Sequence, residues 1–149
     1  MSVLARNTDG YEIDTDPGRV DVAAVHRFLS EESYWSPGVP RDVVERSLQW
    51  SLCFGCYAPD GSLAGFARAV TDRAVFAYLA DVFVLADHRG RGLGVWLMET
   101  MLGHPDLQGL RRVFLVTADA HGLYERFGFH PPRGVERFME IARDPTELY

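Results

Sequence analysis

Residues 82–94, Val-Phe-Val-Leu-Ala-Asp-His-Arg-Gly-Arg-Gly-Leu-Gly, have the makings of an anion site. An apolar run leads into glycines at alternate positions, Gly90, Gly92 and Gly94, and an amphipathic helical pattern follows. Glycine has no Cβ, so backbone can approach a ligand closely there. The first N–H groups of a helix lack internal partners and carry the positive end of its dipole. Strand, glycine turn and helix start together predict a phosphate-type anion site. His88, Arg89 and Arg91 add basic character to a chain whose 15 Lys+Arg against 21 Asp+Glu leave a charge of −6. A Walker loop would need Gly-Lys-Ser/Thr, which does not follow Gly94. A dinucleotide fingerprint would need G-x-G-x-x-G and an acid about 20 residues on. The spacing here is G-x-G-x-G, and position 114 is Phe.

Cys53 and Cys56 form a C-x-x-C pair. They lie in the strand-like run Ser-Leu-Cys-Phe-Gly-Cys-Tyr, where residues three apart point to opposite faces. No second pair or histidine cluster supplies four zinc ligands. Two buried, reduced thiols are expected, and no metal site.

The elements that must position the turn follow from periodicity. A short strand is expected over 11–14 and a helix over 20–29, with Val22, Val25, Phe28 and Leu29 on one face and Asp21 as its cap. The aromatic loop Ser33-Tyr34-Trp35-Ser36-Pro37-Gly38 comes next, and Pro40 opens a second helix through Gln49. Strands over 51–58, 62–71 and 74–85 read as an antiparallel meander, with Pro59-Asp60-Gly61 and Thr71-Asp72-Arg73 as its turns. Leu93, Leu97 and Met101 repeat every four residues on a helix that Gly103 ends. A strand over 112–117, a helix over 118–127 and a closing strand over 138–142 complete the order. This is a mixed α/β layer fold. The crossover from the third meander strand to 112–117 makes those two strands parallel.

At 149 residues, with 47% hydrophobic and 24% charged residues, one domain with its own core is expected over 1–149. The acidic balance argues against nucleic-acid binding, which wants a basic face. No secretory leader is visible, and no apolar stretch reaches the ~20 residues of a membrane span. A soluble, cytoplasmic protein without membrane contact is expected.

Arg89, Gly92 and Gly94 match Arg/Gln-x-x-Gly-x-Gly/Ala after a strand, and Tyr124-Glu125-Arg126-Phe127-Gly128-Phe129 matches Tyr-x-x-x-Gly-Phe. With both motifs in order on the right elements, the chain resembles the GNAT superfamily of acyl-CoA-dependent N-acyltransferases over about residues 10–142.

The resemblance implies acetyl-CoA as co-substrate and a sheet with an antiparallel meander, one parallel strand pair and helices on both faces. It implies that Arg89, Gly90, Arg91, Gly92, Leu93, Gly94 and Val95 cradle the pyrophosphate through their N–H groups. The pantetheine arm would follow Phe83, Val84 and Leu85, and the strand near Thr117 would splay away to admit it. Many members carry Asn where this chain has Thr117.

The implied reaction is attack of an amine on a thioester carbonyl. A backbone N–H around Val84 is the candidate oxyanion donor. Tyr124 is the candidate acid for the leaving thiolate, or else a tyrosine that only bonds the CoA sulfur or the backbone. Asp81 interrupts an apolar strand, with Leu79 and Phe83 on its nominal face. A buried carboxylate there is costly without a partner. It is the candidate base or ammonium holder; a salt bridge to Arg68, or a bulge turning it to water, is the alternative.

The loop with Tyr34 and Trp35 falls where relatives shape the acceptor pocket, and aromatic faces bind cations. Arg41 could bind an acceptor carboxylate or be a surface residue. The resemblance thus implies acetyl transfer to a primary amine, of a small molecule by preference. Acceptors on a protein (lysine or N-terminus), a non-catalytic acyl-CoA sensor and homodimer formation stay open.

Overall fold

The turn at Pro59-Asp60-Gly61 builds the meander. Gly61 takes φ of +88°, its N–H donates to Ala58 O over 2.8 Å, and the Asp60 carboxylate accepts from the Ser62 N–H over 2.9 Å. Such a turn joins adjacent antiparallel strands. The computed structural model describes residues 3–149; Met1 and Ser2, the start of the N-terminus read for a leader, lie outside the described residues.

The strands are β1 (Val3–Arg6), β2 (Glu12–Asp14), β3 (Leu52–Tyr57), β4 (Leu63–Thr71), β5 (Phe76–Val84) and β6 (Arg112–Phe114). They form one sheet in the order β1-β2-β3-β4-β5-β6. Pairing is antiparallel through β5, and β5 pairs with β6 in parallel. The expected meander and parallel pair are both present. The helices are α1 (Val22–Arg27), α2 (Arg41–Gln49), α3 (Leu93–Leu102), α4 (His121–Glu125) and α5 (Pro145–Leu148). Asp21 caps α1 by accepting from the Ala24 N–H over 3.0 Å.

Helices cover both faces. On one face Ile13, Phe54, Cys56, Ala67 and Leu79 pack with Leu93, Leu97, Met98 and Met101 of α3. On the other, Cys53, Tyr57, Phe66 and Phe83 pack with Val25, Phe28, Leu29 and Val44 of α1, α2 and their connection. Cys53 and Cys56 are buried free thiols on opposite faces.

Several expected elements differ. β1 precedes the strand expected first; at four residues and on the sheet edge it carries little pattern. The helix expected to 29 gives way to a π-helical turn over Phe28–Glu32. The strand expected over 112–117 pairs only to Phe114, and the helix expected over 118–127 is confined to α4. No strand forms over 138–142. Its apolar residues are present, but no ladder partner lies beside it.

Leu79 and Phe83 do not share Asp81's face, as the sequence pattern suggests. Phe66 pairs with Phe83 and Arg68 with Ala80, so Asp81 and Val82 together face Ala67. This is a β-bulge, which reverses the alternation and sends Leu79 and Phe83 to opposite core layers. Among the described residues no helix is long and apolar enough to cross a membrane.

Candidate active site

The glycine turn forms as its residues require. Gly90 (φ +80°) and Gly92 (φ +73°) occupy the left-handed region that side-chain-bearing residues avoid. Gly92 caps α3, and the first intrahelical bond runs from the Trp96 N–H to Gly92 O over 3.1 Å. The N–H groups of Leu93, Gly94 and Val95 therefore have no partner within the helix. A Cβ built at Gly90 or Gly92 would meet nothing within 4 Å, so the turn is open to solvent.

The basic side chains around it are mostly engaged. Arg89 Nε donates to Val84 O over 2.9 Å and ties the turn to β5. His88 Nδ1 lies 2.9 Å from the Tyr11 hydroxyl, and the Arg91 guanidinium lies over the Tyr11 ring at 5.9 Å. The anion donors here are backbone groups, with Arg89 holding them in place.

The sheet parts beside this turn. β5 and β6 pair at Phe76 with Arg112, Ala77 with Val113 and Tyr78 with Phe114, and no further. The Leu85 N–H donates to Ala64 O, on the β4 side. Alternation then directs the Val84 N–H away from β4, toward the opening. Val84 O on that side is held by Arg89, and the Val84 N–H remains for a ligand's amide carbonyl or for an oxyanion.

At the bulge, Asp81 adopts φ of +53°, a conformation uncommon outside glycine. Its side chain is 8% exposed. Arg68 Nε donates to Oδ2 over 2.5 Å, and Trp35 Nε1 donates to Oδ1 over 2.9 Å. Arg68 Nη1 also donates to the Ser51 hydroxyl over 3.1 Å. Asp81 is therefore both in a bulge and ion-paired, the two alternatives its position allowed, and it is not turned to water.

The aromatic loop connects this carboxylate to the far side of the opening. Tyr34 and Trp35 meet edge to face at 5.0 Å, and the Tyr34 hydroxyl accepts from the Ala118 N–H over 2.9 Å, just past β6. Tyr124 on α4 packs edge to face on Phe129 at 5.9 Å. Among the described residues its hydroxyl has no hydrogen-bond partner. Burial raises its pKa above the usual tyrosine value, and the nearby Tyr34 and Asp119 raise it further. It keeps its proton through neutral pH and can donate it.

A profile of the acetyltransferase (GNAT) family matches residues 22–129. The chain belongs to this family. A GNAT-family protein of Xanthomonas campestris pv. campestris, assigned as an acetyltransferase, superposes with a TM-score of 0.89 at 45% identity, covering 95% of this chain and 97% of that one. A Gibberella zeae protein, also assigned as an acetyltransferase, is 33% identical over 135 residues, 76% of this chain and 75% of that protein. A Clostridium acetobutylicum acetyltransferase solved with acetyl-CoA shares the fold, with a TM-score of 0.65 at 13% identity, covering 89% of this chain and 94% of that one.

In this GNAT chain, the expected site residues fall into two groups. Phe83, Val84, Leu85, Arg89, Gly90, Arg91, Gly92, Leu93, Gly94 and Val95 form one continuous path from β5 into α3. Tyr34, Trp35 and Asp81 are joined in one cluster by ring contact and hydrogen bond. Two residues are occupied elsewhere. The Thr117 hydroxyl accepts from the Asp119 and Ala120 N–H groups and caps the approach to α4. Arg41 pairs with Glu45 on the exposed face of α2 at 3.0 Å. Arg68, expected only as an ion-pair partner, is the cationic centre of the cluster. Its place on the neighbouring strand was available from the sequence pattern; the register opposite Ala80 and the bulge that brings Asp81 to it were not. Among the described residues no group of three His, Cys, Asp or Glu could hold a metal ion.

Proposed function

We propose that this chain is a single-domain, cytoplasmic N-acetyltransferase that moves an acetyl group from acetyl-CoA to the primary amine of a small molecule. The observation that carries this reading is the parting of β5 and β6 after Tyr78 and Phe114, beside the open glycine turn at the start of α3. The donor set fits acetyl-CoA in kind: unpaired helix N–H groups suit a pyrophosphate, and a free strand edge suits the amides of pantetheine. The Clostridium acetobutylicum protein that shares this fold was solved with acetyl-CoA, which supports the same reading.

Bound acetyl-CoA supplies a thioester carbonyl, activated toward a nitrogen nucleophile. The N–C bond forms, negative charge gathers on the carbonyl oxygen, and the C–S bond then breaks. The amine loses a proton, and the departing sulfur gains one from the Tyr124 hydroxyl, whose burial keeps it protonated until that moment. The Val84 N–H stabilises the oxyanion. Asp81, ion-paired with Arg68 and bonded to Trp35, holds the aromatic loop against the opening, and the faces of Tyr34 and Trp35 border the acceptor's path. Water takes the amine proton, because both oxygens of Asp81 already hold a donor.

The test is thiol release from acetyl-CoA across a panel of amines. Turnover that depends on the amine and falls in Tyr124→Phe supports the reading. Tight acetyl-CoA binding with no turnover on any amine would favour a non-catalytic acyl-CoA sensor.

A further inference from the structure

The glycine turn and the aromatic loop lie on opposite faces of the sheet. Gly92 opens α3, which packs with Phe54 and Leu79 on one face. Phe28 and Trp35 pack with Phe66 and Phe83 on the other. A ligand whose phosphates sit on the turn, and whose arm enters the parting of β5 and β6, points its far end at the loop.

Two ties carry the loop across that parting. On β5, Asp81 Oδ1 accepts from Trp35 Nε1 over 2.9 Å. Past β6, the Ala118 N–H donates to the Tyr34 hydroxyl over 2.9 Å. The two rings meet edge to face at 5.0 Å. Asp81 and Ala118 both lie beyond Tyr78 and Phe114, the last paired residues, so the chain Asp81-Trp35-Tyr34-Ala118 bridges the opening. The bridge is held from behind. Phe28 stacks on Phe83 of β5 at 4.0 Å and meets Trp35 at 6.1 Å. The buried Ser33 hydroxyl donates to Leu29 O over 2.6 Å, and the Gly38 N–H donates to Ser30 O over 3.0 Å. Tyr34 is close enough to Tyr124 to raise its pKa, which sets the ring near the candidate proton donor. It still keeps 53% of its surface exposed, a fixed ring with area left for a ligand.

We propose that this bridge is an acyl-length stop: the Tyr34 ring, fixed by Ala118 and Trp35, ends the space for the acyl group at acetyl size, so that the chain selects acetyl-CoA over longer acyl-CoAs. The inference rests on the acyl-CoA site proposed above. An acetyl group ends short of the ring. Each further methylene must displace the ring or break its tie to Ala118. One methylene in a closed apolar pocket changes selectivity by about 10–200-fold.

Calorimetric titration of acetyl-CoA and butyryl-CoA into the full-length parent, Tyr34→Ala and Tyr34→Phe tests it. The parent should bind butyryl-CoA at least about tenfold more weakly than acetyl-CoA. Tyr34→Ala removes the ring and should bind the two ligands equally. Tyr34→Phe keeps the ring and loses the tie to Ala118, so its ratio should fall between. Circular dichroism checks folding, and Tyr34→Phe, which lacks one hydroxyl, supplies the reading should the alanine variant not fold. Equal binding of both ligands by the parent, or the parent's ratio kept in every folded variant, overturns the length stop and leaves the acyl-CoA site standing. No binding of either ligand to the parent overturns both.

Discussion

The indole of Trp35 donates to Asp81 across 2.9 Å, tying the loop between α1 and α2 to the bulge in β5. Two segments 46 residues apart thus share one hydrogen bond to a carboxylate in a left-handed backbone conformation. Arg68 holds the other oxygen. The bulge aims the carboxylate, and its two donors hold the aim.

Trp35→Phe keeps the ring's packing on Tyr34 and Phe28 but removes the donor. A hydrogen bond to a charged group contributes about 1.5–3 kcal/mol. Steady-state kinetics should show the acceptor KM rising by roughly tenfold or more, with the KM for acetyl-CoA unchanged. Equal losses in both KM values would count against a role confined to the acceptor side.

Arg68→Met leaves Asp81 buried without its cation. Urea unfolding should show a loss of about 3–5 kcal/mol, the usual cost of stranding a buried charge. Arg68→Met with Asp81→Asn should recover much of that loss, because the stranded charge is gone. A single variant as stable as the parent would mean that the pair is not what holds Asp81.

Tyr124→Phe removes the proton donor without changing shape. kcat should fall by about 10²–10⁴-fold, while calorimetric acetyl-CoA affinity holds. The parent's alkaline limb should lie above the ordinary tyrosine value of ~10, since the protonated form is the active one and burial extends its range upward. An unchanged kcat would remove Tyr124 from the chemistry.

Much of this site was legible as sequence because its parts are local. The three glycines, the strand before them and the helix after them all lie within residues 76–102, and each constrains its own backbone. The Tyr-x-x-x-Gly-Phe run is equally local. Asp81 differs. Its type was conspicuous in an apolar strand, yet its direction depends on a bulge set by how β5 pairs with β4, and that pairing leaves no local mark. Trp35 and Tyr34 were visible as an aromatic loop, but their partners Asp81 and Ala118 are 46 and 84 residues away. The run over 138–142 reads as a strand in sequence, yet it has no ladder partner in the fold.

Cys53 and Cys56 should make the protein sensitive to alkali. Burial pushes both thiols up to about 11 from an ordinary value of 9.0. Between those values the unfolded thiols ionise and the folded ones do not, so the unfolded state binds fewer protons and stability falls as pH rises. The contribution is intact below pH 9 and lost toward pH 11. Thermal melts should show Tm declining across that window, and Cys53→Ala/Cys56→Ala should flatten the decline between pH 9 and 10, before tyrosines titrate. A slope that persists in the double variant would assign it to other groups.

The most direct test of the proposed site is calorimetric titration of acetyl-CoA into the parent and into Gly92→Glu. Glutamate at a backbone position with φ of +73° strains the turn, and its charge faces the unpaired N–H groups of α3. The account predicts micromolar binding to the parent and at least a tenfold loss in the variant, with its circular dichroism unchanged. No binding to the parent, or equal binding to both proteins, would contradict it.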